Sequence, residues 1–151
     1  MVEEDPGYSM PCPEGDLGMS KLILIRGLPG AGKTTLAKTN YTSAKNFEAD
    51  QYFTDSEGNY HFDTSKLKEA HTQCRNNTEA ALQEGAPVVV VSNTFVEKWQ
   101  MRPYLFLARK YKAEFEIITA TGNYQNVHNV PLETIEKMKN RWEELDASGS
   151  I

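Results

Sequence analysis

One eight-residue stretch, Gly27-Leu28-Pro29-Gly30-Ala31-Gly32-Lys33-Thr34, constrains this chain more than any other. It fits G-x-x-x-x-G-K-[ST], the spacing of a loop that wraps phosphate. Leu22-Ile23-Leu24-Ile25 precedes it, an unbroken apolar run of the kind buried on both faces of a parallel sheet. Thr34-Thr35-Leu36-Ala37-Lys38 follows and reads as the start of a helix. Strand, glycine loop and helix thus come in the order that phosphate binding needs. Gly27, Gly30 and Gly32 open backbone conformations closed to other residues and allow close approach to an anion. Pro29, Ala31 and Thr35 complete the candidate nucleotide-binding set, and the free N–H groups of the loop and of the helix start point at the anion. Lys33 reaches the outer phosphates as a point charge, and the Thr34 hydroxyl is a ligand for Mg²⁺. The expected ligand is a nucleoside triphosphate, read as ATP with Mg²⁺, although nothing in the loop distinguishes ATP from GTP.

Charge narrows what else the chain contacts. The net charge is −5. Glu3, Glu4, Asp5, Glu14 and Asp16 carry all of it, because residues 1–20 contain no Lys or Arg. The remainder is neutral, which argues against a protein that coats duplex nucleic acid. It leaves room for an enzyme that holds one strand end through a local cluster. Pro6, Gly7, Pro11, Pro13, Gly15 and Gly18 lie among those acids, so residues 1–20 read as a flexible tail. Residues 21–146 read as one domain and 147–151 as a frayed end. No apolar run approaches the ~18 residues of a membrane span, and no secretory pattern opens the chain. Cys12 and Cys74 are too far apart in sequence to suggest a metal motif, and a reducing cytoplasm is the expected compartment.

From Lys21 onward strands and helices alternate. A short second strand is expected over Asn46–Ala49, ending at Asp50. Gln51–Phe62 reads as a hairpin-like excursion around Glu57-Gly58-Asn59. Asp63 or Thr64 caps a helix that stops at Gly85, with Leu67, Ala70, Cys74, Ala81 and Leu82 as its apolar stripe. Pro87–Ser92 is the clearest strand, β-branched throughout and hence central. A helix is expected over Glu97–Lys112 with Trp99, Tyr104, Leu105, Leu107 and Ala108 inward. Phe115–Thr119 is a fourth strand, and Pro131 opens a last helix with Ile135, Met138 and Trp142 on its inner stripe. The expected fold is α/β, a mostly parallel sheet with helices on both faces. In such sheets ligands bind at the carboxyl ends of the strands. The glycine loop, Asp50, Ser92-Asn93-Thr94 and the 120–130 loop should therefore meet at one edge.

Asp50 is the candidate base. A carboxylate there can orient an acceptor hydroxyl and take its proton, a role worth ~10²–10⁴-fold. It can equally be a turn acid. Ser92 and Asn93 stand at the strand end where many phosphate-loop proteins place an Asp that holds Mg²⁺, and they bring no charge. His71 and Arg75 share one helical face. Arg75 is a modest candidate for an acceptor phosphate, and His71 reads as packing. No Lys or Arg lies between Ala113 and Glu136, so the 120–130 loop offers only neutral groups such as Gln125 and His128.

Four blocks together resemble the P-loop 5′-polynucleotide kinases and their relatives. Those relatives are small phage and bacterial ATP-binding kinase-like proteins, the kinase-like domain of NEDD4-binding proteins, and that of myelin cyclic-nucleotide phosphodiesterase. The blocks are Ile25–Leu36 (I-R-G-L-P-G-A-G-K-T-T-L), Ala49–Phe62 (A-D-Q-Y-F and Y-H-F), Val88–Tyr104 (V-V-V-V-S-N-T-F and W-Q-M-R-P-Y) and Asn126–Glu143 (N-V-H-N-V-P and I-E-K-M-K-N-R-W-E). The resemblance implies a P-loop kinase fold. It also implies phosphate and Mg²⁺ binding by Lys33 and Thr34, and hydroxyl activation by Asp50. Three positions depart from the pattern: Phe53 replaces an acceptor-binding arginine, Ser92 or Asn93 an aspartate, and Gln125 a lid arginine.

The expected function is transfer of the γ-phosphate of ATP to a hydroxyl. Acceptors that fit are a polynucleotide 5′ end, a modified DNA base or a nucleotide-like molecule. The alternatives are a non-catalytic ATP- or GTP-binding module and a slow NTPase.

Overall fold

Lys21–Arg26 forms the first strand, β1, and its alternation sends side chains to two different cores. The computed structural model describes residues 20–41, 43–122, 130–145 and 151. After β1 come α1 (Lys33–Asn40), β2 (Lys45–Phe47), α2 (Leu67–Gln83), β3 (Val88–Asn93), α3 (Arg102–Lys110), β4 (Glu114–Thr119) and α4 (Leu132–Arg141). The sheet order is β2-β3-β1-β4 and every pairing is parallel. Leu22, Leu24, Val89 and Val91 pack under Cys74, Ala81 and Leu82 of α2 and Tyr104 and Ala108 of α3. Ile23, Ile25 and Val90 pack on the other face with Ala37 of α1. The expected α/β layering with helices on both faces is therefore present, and β1 and β3, the two most apolar strands, are interior.

The segment after β2 departs from expectation. The strand ends at Phe47, and Ala49–Phe53 winds into a 3₁₀ turn. Ala49 and Phe53 bury against Ala70 of α2, and that packing outweighs extension of the strand. The excursion that follows is hairpin-like, with Thr54 and Tyr60 in an antiparallel bridge. Asp55 shapes its turn by accepting from the backbone N–H groups of Glu57 and Asn59, each at 2.9 Å. Asp63 then accepts from the Ser65 N–H, the cap expected before α2.

The helix expected over 97–112 is in two pieces. Lys98–Gln100 is a 3₁₀ turn, and α3 begins only at Arg102. Pro103 lacks the N–H that would tie it to Trp99, so it is tolerated only in a first turn. The correction falls on Trp99, which is 59% exposed rather than inward, while Tyr104 and Ala108 are buried as expected. Leu67 of the α2 stripe is also exposed. Residues 1–19 of the tail with Cys12, Gln125, His128 and residues 146–150 lie outside the described residues, whereas Ser20 is buried and its carbonyl accepts from the Glu114 N–H at 2.9 Å. Among the described residues no helix is long and apolar enough to cross a membrane.

Candidate functional site

Four strand ends converge on the glycine loop. Gly27 N–H donates to Thr94 O beyond β3 at 3.2 Å, and Ala120 and Gly122 beyond β4 donate to Arg26 O and Ala31 O at 2.8 and 2.9 Å. A Cβ at Gly27 would lie 3.0 Å from Ala120 O and from Ala31 Cβ, closer than ordinary van der Waals contact, so the glycine lets the loop pack tightly against the end of β4. Gly32, at φ 89°, turns the chain into α1. That left-handed value is open to glycine and strained for other residues.

Lys33 donates to Gly27 O at 2.8 Å and Leu28 O at 3.1 Å. Its ammonium is held below its ordinary pKa, chiefly by burial, with Glu48 and then Asp50 acting in the opposite direction. Glu48, the residue that leaves β2, is a site residue that sequence reasoning missed. Thr34 Oγ1 donates to Glu48 Oε2 at 3.0 Å. The only sequence signal was its place two residues before Asp50 at a strand exit.

Asp50 sits in the 3₁₀ turn with Tyr60 beside it. Tyr60 Oη donates to Asp50 Oδ1 at 3.1 Å. Burial, and then the Asp50 carboxylate, push the Tyr60 phenol well above its ordinary pKa, so it remains a donor at neutral pH. Tyr60 was also missed, since only the folded hairpin brings it ten residues back onto Asp50. Burial, and then the Arg75 guanidinium, hold the pKa of His71 of α2 below its ordinary value, with Asp50 acting in the opposite direction. Arg75 donates to Thr72 Oγ1 on its own helix at 3.3 Å.

At the end of β3, Asn93 Oδ1 accepts from the Ala49 N–H at 2.8 Å and its amide contacts Cys74 Sγ at 3.8 Å. Asn93 thus anchors the backbone between Glu48 and Asp50. Ser92 is buried and alternates to the α1 side. Among the described residues no three His, Cys, Asp or Glu side chains converge on a metal position. That suits Mg²⁺, which takes one or two protein oxygens and fills its shell with phosphates and water. The Thr34 hydroxyl beside a carboxylate oxygen is a donor set of that kind.

A hydrogen bond to a charged carboxylate contributes ~1.5–3 kcal/mol. Tyr60→Phe is therefore expected to lower any Asp50-dependent phosphate transfer by roughly 10- to 100-fold, with ATP affinity unchanged. Steady-state kinetics check this, and an undiminished rate would show that Asp50 needs no such anchor.

Comparison with known proteins decides the family. Residues 22–145 match the family described as an AAA domain. The chain belongs to this family. Human NEDD4-binding protein 2 is 33% identical over 129 residues, a stretch covering 78% of this chain and 7% of that protein. The chain therefore corresponds to a small part of that relative. A chain of the Pnkp1/Rnl/Hen1 complex superposes with a TM-score of 0.56 at 16% identity, over 82% of this chain and 40% of the other. The Mycobacterium tuberculosis APS kinase CysC, solved with AMPPNP and APS, gives 0.50 at 16% identity over 79% and 68%. At such identities the likeness is one of fold, and the fold is the α/β P-loop kinase fold. The resemblance to P-loop polynucleotide-kinase-like proteins holds, and this AAA-domain protein carries the kinase-type architecture.

Proposed function

We propose that residues 21–146 transfer the γ-phosphate of ATP to a hydroxyl on a nucleic-acid end, a modified DNA base or a nucleotide-like molecule. The observation that carries this reading is geometric: Thr34 of the glycine loop meets Glu48 at 3.0 Å, and Asp50, two residues further on, is held by Tyr60 Oη at 3.1 Å, so a candidate base stands beside the candidate triphosphate loop. The Pnkp1-containing complex and the APS kinase, as neighbours in fold, support a phosphotransferase in general.

In the proposed reaction the glycine loop and Lys33 orient the triphosphate. Asp50 accepts the proton of the acceptor hydroxyl as its oxygen bonds to the γ-phosphorus. The bond from the β–γ bridging oxygen to that phosphorus breaks, and ADP leaves with the electron pair. Such transfer depends on positioning and charge more than on covalent catalysis. Mg²⁺, held at Thr34, would supply charge neutralisation on the β- and γ-phosphates when bound.

One incubation with γ-labelled ATP and Mg²⁺ tests the reading. The acceptors offered are 5′-hydroxyl DNA, 5′-hydroxyl RNA, hydroxymethylated DNA and a nucleoside pool. Label is expected on one of them. Label in free phosphate alone would make the protein an NTPase. ATP binding without turnover would make it a binding module, and either result overturns the transferase.

A further inference from the structure

We infer that Glu48 supplies the metal-facing carboxylate that the end of β3 lacks, so that the two acids of Glu48-Ala49-Asp50 divide the work. The inference rests on the ATP–Mg²⁺ reading above and adds a residue to it.

Three observations carry it. The first is the loss at β3. Where P-loop proteins commonly hold Mg²⁺ with an aspartate, this chain has Ser92 and Asn93, both uncharged. Asn93 is committed elsewhere, since its Oδ1 accepts the Ala49 N–H and its amide lies on Cys74. The second is register. β2 pairs with β3 through Phe47↔Val91, so Glu48, the next residue, leaves the sheet level with Ser92 on the neighbouring strand. A carboxylate rooted one strand over thus stands at the same height along the sheet as the missing one. The third is contact. Glu48 Oε2 is 3.0 Å from Thr34 Oγ1, the hydroxyl that a P-loop offers to Mg²⁺. A carboxylate seated on that hydroxyl is placed to bind the ion directly or through one of its waters.

The backbone supports a fixed position. Glu48 is extended, with φ −141° and ψ 145°, and the following amide is tied to Asn93. Asn93 therefore acts through Glu48, as a positioning residue rather than a ligand. Glu48 is also the larger of the two carboxylate influences on Lys33, in keeping with a place at the phosphate end of the site. Asp50, tied to Tyr60 across the turn, is left for the acceptor.

The charge balance gives the test a distinctive sign. With Lys33, Glu48 and Asp50 the site is net negative. Metal-free ATP meets the Glu48 carboxylate at Thr34, whereas with Mg²⁺ Glu48 would help to hold the ion beside Thr34 and the ion's charge would offset that repulsion. Removing the Glu48 charge should therefore weaken MgATP without weakening ATP alone.

Binding of ATP is to be measured by titration calorimetry in excess Mg²⁺ and in EDTA, for the parent, Glu48→Gln, Glu48→Asp and Asp50→Asn. Loss of a group that supports a metal typically costs 10- to 100-fold in metal affinity. Glu48→Gln is expected to lose about 10- to 100-fold of the Mg²⁺ enhancement while binding ATP in EDTA as well as the parent or better. Glu48→Asp should fall between the two, and Asp50→Asn should keep the full enhancement. An unchanged Mg²⁺ enhancement in Glu48→Gln and Glu48→Asp overturns the inference. So does an equal loss with and without metal, which would make Glu48 part of the scaffold. A parent that binds no nucleotide under either condition would overturn the ATP reading itself, a failure distinct from one confined to the Glu48 variants.

Discussion

Asp50→Asn is expected to reduce phosphate transfer by ~10²–10⁴-fold, the contribution of a positioned general base, while leaving the affinity for ATP within about twofold. The amide is nearly isosteric. Its oxygen can still accept from Tyr60, whose hydroxyl lies 3.1 Å from Asp50 Oδ1, so the turn over Ala49–Phe53 should be kept. What disappears is the ability to take a proton. Rapid-quench measurement of label transfer, set beside calorimetric ATP binding, separates the two effects. A variant that transfers phosphate at the parental rate would remove Asp50 from the chemistry. A variant that loses ATP binding in step with turnover would make Asp50 a residue of the nucleotide pocket instead.

The second large effect concerns stability. Arg26, the last residue of β1, is 1% exposed. Its Nε donates to Phe95 O at 3.0 Å and its Nη2 to Val96 O at 3.1 Å. Trp142, just past α4, covers the guanidinium at 3.9 Å from the ring centroid. Phe95 holds a left-handed φ of 46°, a strained value for a bulky side chain; this conformation accompanies the presentation of both carbonyls to the arginine. Arg26→Met fills much of the same volume but takes the Nε donor from the buried Phe95 O, at ~1–3 kcal/mol, while Val96 O keeps the Glu143 N–H at 2.9 Å. It also removes a desolvated cation–π contact of ~2 kcal/mol. Relief from burying a charge offsets part of this, since burial lowers the pKa of Arg26. The expected net loss is about 2–4 kcal/mol in urea denaturation at unchanged m-value. Arg26→Lys, with one point of donation in place of a fork, should fall between. A loss below about 0.5 kcal/mol for Arg26→Met would show that another group or water satisfies Phe95 O.

Why some of this was readable in advance follows from the range of the interactions. The glycine loop is local: residues within eight positions define it, and the apolar run before it and the helix after it are local too. The run Val88–Val91 was equally plain, because an unrelieved β-branched segment has few places outside the middle of a sheet. Trp99 was misplaced because periodicity was projected through Pro103, whose missing N–H resets where the helix can begin. Glu48 and Tyr60 were missed for another reason. Neither belongs to a motif by spacing. Glu48 matters because α1 delivers Thr34 to it, and Tyr60 because the Asp55 turn folds it back over Asp50. Arg26 ends an apolar strand, and nothing local shows that it is buried, because its partners at 95, 96 and 142 come from distant parts of the chain.

The strand order sets a length scale. β3 lies between β1, which feeds the glycine loop, and β2, which feeds Glu48 and Asp50. Two inter-strand steps of ~4.8 Å separate the roots of those walls, on the order of 10 Å, and the Glu48 side chain crosses that interval to reach Thr34 Oγ1. The tip of β3 is then the floor of a slot whose width the sheet has already fixed. Asn93 joins that floor to one wall through the Ala49 N–H, so an exchange there would move the acidic wall and leave the glycine loop where it is. A fold built this way can readjust its acidic side through one floor residue and keep its donor loop untouched.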